Sequence, residues 1–275
     1  MLSVFVLDKR TELGYSVAMA EKKKENNVYP ELVLKNNDNP NRLLAFPLLG
    51  ILIRTILLFP VFVEGLFLAF GYLFFWIAVP FVILFKGKYW DAAYDFFIGY
   101  FKFKTKISLY IYGLTDKYPG FGLDDDGIFT LKVTKPTAPS KLLGFPLFGL
   151  IMRSVLLIPY SIFAAVLSYG ALVAVFVAWF AVLFTGKYPV SLYEFVKDSI
   201  RIDLADEVYS SYLSDTYPSI YMSMKNKTVK TLLIIAGALF FLFRIITSVL
   251  NVGYDDQTAK NHNYNNQTEY NYRDK

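Results

Sequence analysis

The sequence predicts an α-helical integral membrane protein. It reads as a tandem repeat of hydrophobic hairpins plus a C-terminal span, with amphipathic helices and short β elements outside the bilayer. Composition is the first reason: of 275 residues, 55% are hydrophobic and 19% charged, and the mean hydropathy is +0.39. A soluble domain averages roughly 45–50% apolar and 25% charged residues. The second reason is that the excess is gathered into three long runs. The third is that two of these runs recur as parts of one repeat. Such a composition excludes disorder across the whole chain. There is no cysteine and one histidine, His262. Disulfides, thiolate chemistry, a histidine triad and a multi-histidine metal site are therefore excluded within one chain.

The chain divides into six segments. Residues 1–41 form an N-terminal cytoplasmic β and linker segment. Met1–Leu7 is too short and lacks the basic start of a secretory signal. Ser3–Leu7 reads as a strand, Gly14–Ala20 as its partner, and Glu21–Asn27 as a charged linker. Membrane repeat 1 occupies 42–121, a β-hairpin linker 122–140, and membrane repeat 2 141–220. A third partial repeat with one span covers 221–250, and a polar tail, read as disordered, covers 251–275.

Leu43–Phe85 carries two charges, Arg54 and Glu64; Leu142–Phe184 carries Arg153; Thr231–Leu250 carries Arg244. A bilayer core needs about 20 helical residues. The first two runs are each long enough for two spans, so each is expected to fold back near Val63–Leu68 and Val166–Gly170. Lysines and arginines flank the runs, among them Arg42, Lys86, Lys88, Lys141 and Lys187. Hairpins would bring all of them to one cytoplasmic face. The competing arrangement makes Arg42–Phe59 and Lys141–Ile158 interfacial helices, each followed by one span, with Pro60 and Pro159 at the break.

An offset of 99 aligns residues 43–119 with 142–218 without a gap. Leu43-Leu44-x-Phe46-Pro47 meets Leu142-Leu143-x-Phe145-Pro146. Arg54 meets Arg153, Pro60 meets Pro159, and Gly87-Lys88-Tyr89 meets Gly186-Lys187-Tyr188. Asp116-x-Tyr118-Pro119 meets Asp215-x-Tyr217-Pro218. Roughly a third of the paired positions are identical, loops included.

Glycine at the end of each run suits a helix terminus, and the adjoining lysine answers its dipole. Lys88, Tyr89, Trp90, Lys187 and Tyr188 are candidate membrane-interface residues. The Gly-Lys pairs lack the spacing of a phosphate loop. Leu192, Val196, Ile200, Leu204 and Val208 recur every four residues and give a helix one apolar face. Phe101–Ile107 alternates like a strand, but the repeat alignment makes it helical. Residues 90–113, with their aromatics and lysines, suit either the membrane surface or packing within their own repeat. Phe121–Val133 reads as two strands about an Asp-Gly turn, with Leu32–Leu34 and Ile220–Met222 as further strands. Asp124–Asp126 lack the ligand spacing of a calcium loop.

The arginines inside the runs, Arg54, Arg153 and Arg244, with Glu64, are the candidate site. Burying such a charge costs about 2.5–3.5 kcal/mol on insertion scales. An anion path or lipid-phosphate contact is the functional reading. Hydrogen bonding to helix carbonyls is the structural one. Glu64 is a candidate partner of Arg54, but Phe163 stands at the matching position. Asp116 and Asp215 read as turn caps. No catalytic constellation, metal site or cofactor motif emerges.

Trp179-Phe-Ala-Val-Leu-Phe-Thr-Gly-Lys-Tyr-Pro189 and Thr115-Asp-Lys-Tyr-Pro119, with the arginine and proline positions, resemble a bacterial membrane family catalogued only as a domain of unknown function. The two copies cover roughly 43–121 and 142–220. The first departs at Val79-Pro80-Phe81 and Tyr89-Trp90, and Ser214 replaces threonine in the second. The resemblance implies a bacterial membrane location and no known enzyme residues; the expected location is the bacterial inner membrane. The expected function is a non-enzymatic scaffold or complex subunit, with an anion or lipid transport component as the alternative and a lipid-modifying enzyme third. Expected partners are the lipid bilayer, anionic lipids, and this chain itself or other membrane proteins. No groove-reading motif points to nucleic acid.

Overall fold

The computed structural model describes residues 29–34, 40–47, 49–124 and 127–273, with side chains as far as Asn251. The strands expected at Ser3–Leu7 and Gly14–Ala20, and the linker after them, lie outside these residues. The described elements are β1 (Glu31–Leu34), α1 (Leu49–Leu57), α2 (Phe59–Lys86), α3 (Asp91–Ile111), β2 (Phe129–Lys132), α4 (Phe148–Thr185), α5 (Val190–Ser210) and α6 (Lys227–Arg273).

Neither long run folds back on itself. Val63–Leu68 lies inside α2 and Val166–Gly170 inside α4. Apolar side chains without a proline or a polar turn cluster let i→i−4 bonding continue through both segments. The first run breaks at Leu58, between α1 and α2, where Pro60 falls in the first turn of α2 and loses no helical bond. The second run keeps Pro159 inside a 38-residue helix. A single long helix in each run, preceded in the first by the short α1, is thus closer to the competing arrangement than to the hairpins. Phe59–Lys86, Phe148–Thr185 and Lys227–Asn251 are long and apolar enough to cross a membrane.

The reversals come after the runs. Gly87 and Gly186 adopt φ of 65° and 71°, and their N–H groups donate to the carbonyls of Ile83 and Val182. This left-handed cap is open to glycine without steric cost. The following helix returns along the one before. Trp90 and Phe97, at the start of α3, meet Phe75 and Tyr72 of α2, at ring distances of 5.1 and 5.2 Å. Further along, Phe103 lies against Gly65. Likewise α5 returns along α4, with Phe195 against Gly170 and Asp206 beside Ser161.

Residues Phe101–Ile107 are helical, within α3. Phe97, Phe101, Phe103 and Leu109 are buried, so this face of α3 packs on protein. All five apolar α5 positions spaced by four are buried too. Helix α6 crosses α4 closely: a Cβ at Gly237 would run into the Val166 carbonyl oxygen and Gly170. It continues helical to Arg273 in place of the expected disordered tail. Residues 251–273 hold no proline, and extending an existing helix needs no new nucleation.

The two halves meet through exchanged contacts. Tyr89 donates its hydroxyl to the Ser211 carbonyl at 2.8 Å, and Tyr188 donates to the Tyr112 carbonyl at 3.5 Å. Lys141 lies against Gly87, and Arg42 lies against Gly186. In each pair of contacts both positions differ by 99. Such exchange (residue i on j, and j's equivalent on i's) is what a two-fold relation produces. The end of α2 thus sits by the start of α4, and the end of α4 by the lead into α1. The basic flanks are divided accordingly: Lys86, Lys88 and Lys141 mark one end of the molecule, Arg42 and Lys187 the other. The expected common basic face is not formed, because antiparallel helices put their C-terminal lysines at opposite ends.

Strand β2 pairs antiparallel with β1, from Glu31 opposite Lys132 to Leu34 opposite Phe129. The local hairpin expected within 121–133 does not form. Leu123 instead fills the notch at Gly99, and the Gly122 N–H donates to Glu64 at 2.7 Å. Phe129 and Leu131 then turn inward with Leu32, the period of two that one buried face demands. Ile220–Met222 is not a strand either; Tyr221 there accepts a bond from Arg201.

Candidate functional site

Arg54 is 1% exposed. It rises from the last turn of α1 into the C-terminal end of α3. Nη1 donates to the Tyr110 carbonyl at 2.5 Å and the Thr115 carbonyl at 3.1 Å. Nε donates to the Leu44 carbonyl at 3.4 Å, and Nη2 to Asp116 Oδ1 at 2.5 Å. Asp116 Oδ2 accepts the Asn41 N–H at 2.7 Å. The guanidinium also lies 4.6 Å from the Tyr110 ring centroid. Carbonyls left over at a helix end carry partial negative charge, so a cation there is favoured.

Arg153 is 3% exposed and repeats the arrangement. Nη1 donates to the Tyr209 and Ser214 carbonyls at 2.7 and 2.8 Å, and Nε to the Leu143 carbonyl at 3.1 Å. Nη2 pairs with Asp215 Oδ1, while Oδ2 accepts the Ser140 N–H at 2.7 Å. Its guanidinium lies over two rings, Tyr209 at 4.8 Å and Tyr212 at 4.7 Å. Each arginine therefore locks three pieces of chain together: the lead into its own helix, the end of the returning helix, and the loop before a Tyr-Pro. Asp116 and Asp215 do bind backbone N–H groups. Those groups lie 75 residues away in each case, so the aspartates are cross-chain struts and not local turn caps.

The other candidates separate from this pair. Arg244 is exposed on α6. Glu64 does not meet Arg54; its Oε1 accepts the Gly122 N–H, and its Oε2 is buried without a hydrogen-bond partner. Lys88 and Lys187 are less buried, but the aromatic residues beside them face protein. Tyr89 is 4% exposed, and burial pushes its hydroxyl well above its usual pKa. Tyr188 is raised for the same reason. Trp90 packs on Phe75. Tyr89 and Tyr188 join the two halves, and Trp90 packs within the first.

A polar seam between α3 and α5 brings charged side chains of the two helices together. Lys104 of α3 pairs with Glu207 Oε1 of α5. Ser168 of α4 donates to Asp203, its hydroxyl lying 3.1 and 2.9 Å from the two oxygens, and Ser161 donates to Asp206 at 2.9 Å. Burial raises Asp203 from 3.8 to about 7, against the bonds from Ser168. Burial also raises Glu207 and Asp206, which Lys104 opposes. Nearby, Asp198 accepts the Ser223 and Met224 N–H groups at 2.6 and 3.2 Å, while Arg201 donates to the Tyr221 carbonyl. These two residues pin the segment that leads into α6. Their signal in the sequence is the surplus of charge on α5 beside an apolar face too narrow to bury the helix.

Two cavities adjoin these features. One, of about 440 Å³, lies beside the Arg153 clamp and is lined by Tyr29, Lys135, Tyr209, Leu213, Asp215 and Tyr217 among others. Lys135 pairs with Asp91. The second, of about 70 Å³, opens in the polar seam. Among the described residues, no group of three or more histidine, aspartate or glutamate side chains is placed to hold a metal ion.

Residues 149–221 match the sequence model of a family described as Domain of unknown function (DUF4389). The matched span runs from the start of α4 past Tyr217-Pro218, so it takes in Arg153 and Asp215. No curated protein matches the chain, and no solved structure does.

Proposed function

We propose that this chain is a non-enzymatic integral membrane protein, a scaffold or subunit of a membrane complex, in the bacterial inner membrane. The observation that carries the reading is the closure of both arginines. Each guanidinium is buried and committed to carbonyls and an aspartate of its own half. A transport residue needs a face open to its ion; these two have none to offer without dismantling the fold. Asp116 and Asp215 are likewise committed on both oxygens, which disfavours a catalytic role on lipid.

The placement of apolar side chains supports the membrane reading. Large apolar residues are exposed along α1, α2, α4 and α6, including Phe59, Phe67, Phe85, Phe184, Leu239 and Val249. By contrast α3 exposes none, and α5 exposes Val190 alone, at its first residue. Apolar surface of that extent marks contact with lipid or with another protein. Bilayer hydrocarbon covers these faces in our reading, with anionic lipids at the basic ends and further copies or partner proteins on the remainder. The offset of 99 and the recurring clamp support a duplicated origin for the two halves.

The test is anion flux through liposomes holding the purified chain. The scaffold reading expects no flux above empty vesicles, and none altered by Arg54→Gln or Arg153→Gln. Arginine-dependent flux would defeat it in favour of transport. Release of the chain from membranes by alkaline carbonate would defeat the integral membrane reading itself.

A further inference from the structure

The small cavity in the polar seam lies on the axis that relates the two halves. Its lining contains three pairs of positions at the offset of 99: Lys104 with Asp203, Thr105 with Leu204, and Ser108 with Glu207. Only a site on the axis is walled by equivalent residues from both halves. The exchange of Lys for Asp and of Ser for Glu makes this wall chemically lopsided, with one cation from α3 facing two carboxylates from α5.

Charge counting shows what the cavity lacks. Lys104 and Glu207 neutralise one another. Asp203 adds a second carboxylate one helical turn from Glu207, near enough for repulsion. Around them stand Tyr72 of α2, Tyr100 of α3 with Tyr112 at its end, Tyr160 and Ser168 of α4, and Asp206 of α5. An extra negative charge among such groups is costly unless it is paired or removed. Glu207 Oε2 is buried and has no hydrogen-bond partner, and the cavity it lines, about 70 Å³, exceeds what one water requires.

We propose that Asp203 and Glu207 form a proton-binding site on this axis, and that the bound proton keeps Lys104 committed to Glu207 and so holds α3 to α5. With Asp203 protonated, the charges lining the cavity balance, Lys104 against Glu207, and the Asp203 carboxyl becomes a donor toward the unpartnered carboxylate oxygen, directly or through water. With Asp203 ionised, two carboxylates compete for one lysine and the seam loosens. The site uses neither arginine clamp and does not depend on the scaffold reading.

The test is an infrared titration of the purified full-length protein in detergent, with hydrogen exchange followed in parallel. A protonated-carboxyl band should titrate with a midpoint near the value burial gives Asp203, about 7, and should vanish in Asp203→Asn. Lys104→Met should raise the midpoint by about one unit or more, a tenfold change in proton affinity. Ser168→Ala should also raise it, since Ser168 donates to the ionised form; this variant serves if Asp203→Asn does not fold. Protection factors of amides in 100–112 should fall above the midpoint in the unaltered chain. A band that persists in folded Asp203→Asn, or no titration between about pH 5 and 9, overturns the proposal. A midpoint that falls as sodium or potassium is raised overturns it in favour of a metal-cation site.

Discussion

In the first half, Arg54 stands on a nine-residue helix that stops at Leu57; in the second, Arg153 stands on a helix that runs 38 residues without a break. The bonds the two arginines make are nevertheless the same, down to the carbonyl ten residues before each. The clamp therefore does not depend on how the helix continues. What differs is the packing over it. Gly113 ends the first returning helix with φ of 72°, while Tyr212 takes the same position in the second with φ of 63°. A tyrosine in the left-handed region is strained, and here its ring fills the space under Arg153. In the first half that space belongs to Trp179, whose Nε1 approaches Gly113 from α4. One half supplies its own ring; the other borrows one. Position 205 is alanine, whereas Lys106 at the equivalent place reaches the Gly122 and Asp124 carbonyls at 3.2 Å.

Removing each arginine in turn tests the difference between the halves most severely. Arg153→Leu should cost about 3–5 kcal/mol, because Asp215 and three carbonyls lose their partner in a buried place. Arg54→Leu should cost somewhat less, having one ring contact against two. Unfolding by denaturant in detergent measures both, and equal costs would remove the role given to Tyr212. Next in size is Gly113→Ala, expected to destabilise by about 1–2 kcal/mol through its positive φ. Tyr212→Gly relieves the same strain but loses the ring under Arg153, so it should be nearer neutral. A third probe is pH. Asp203 binds its proton more tightly folded than unfolded, from 3.8 to about 7. Between these values the folded state holds more protons, so stability from this group is present at low pH and is lost as pH rises to about 7. Asp203→Asn should flatten that part of the stability curve; an unchanged slope would place the proton elsewhere. The smallest effect belongs to Lys132→Ala. Its exposed pair with Glu31 should contribute under about 1 kcal/mol.

Much of this fold is legible in the sequence, and the exceptions share a cause. The offset of 99 puts Arg54 and Arg153 at equivalent positions by counting alone, and the four-residue spacing names the buried face of α5. Glycines 87 and 186 mark the helix ends because backbone conformation is a local property. The reversals expected at Val63–Leu68 and Val166–Gly170 are a different matter: one helix or two fit the same apolar run. Charge at the flanks decides between them only if both runs point the same way, and the antiparallel packing breaks that condition. Asp203 and Glu207 carry no signal of their own, being polar for reasons of the other half: Lys104 lies 103 residues from Glu207. The pairing of β2 with β1 across a similar distance is hidden by a nearby Asp-Gly that suggests a shorter solution.

Tyr188 and its neighbour Gly186 close over Tyr112 and Arg42, chain that leaves the ribosome long before them. The amino-terminal portion consequently completes its last contacts only after translation of the carboxy-terminal one is well advanced. A product truncated near Ser140 would carry every atom of its own guanidinium lock and still lack its lid.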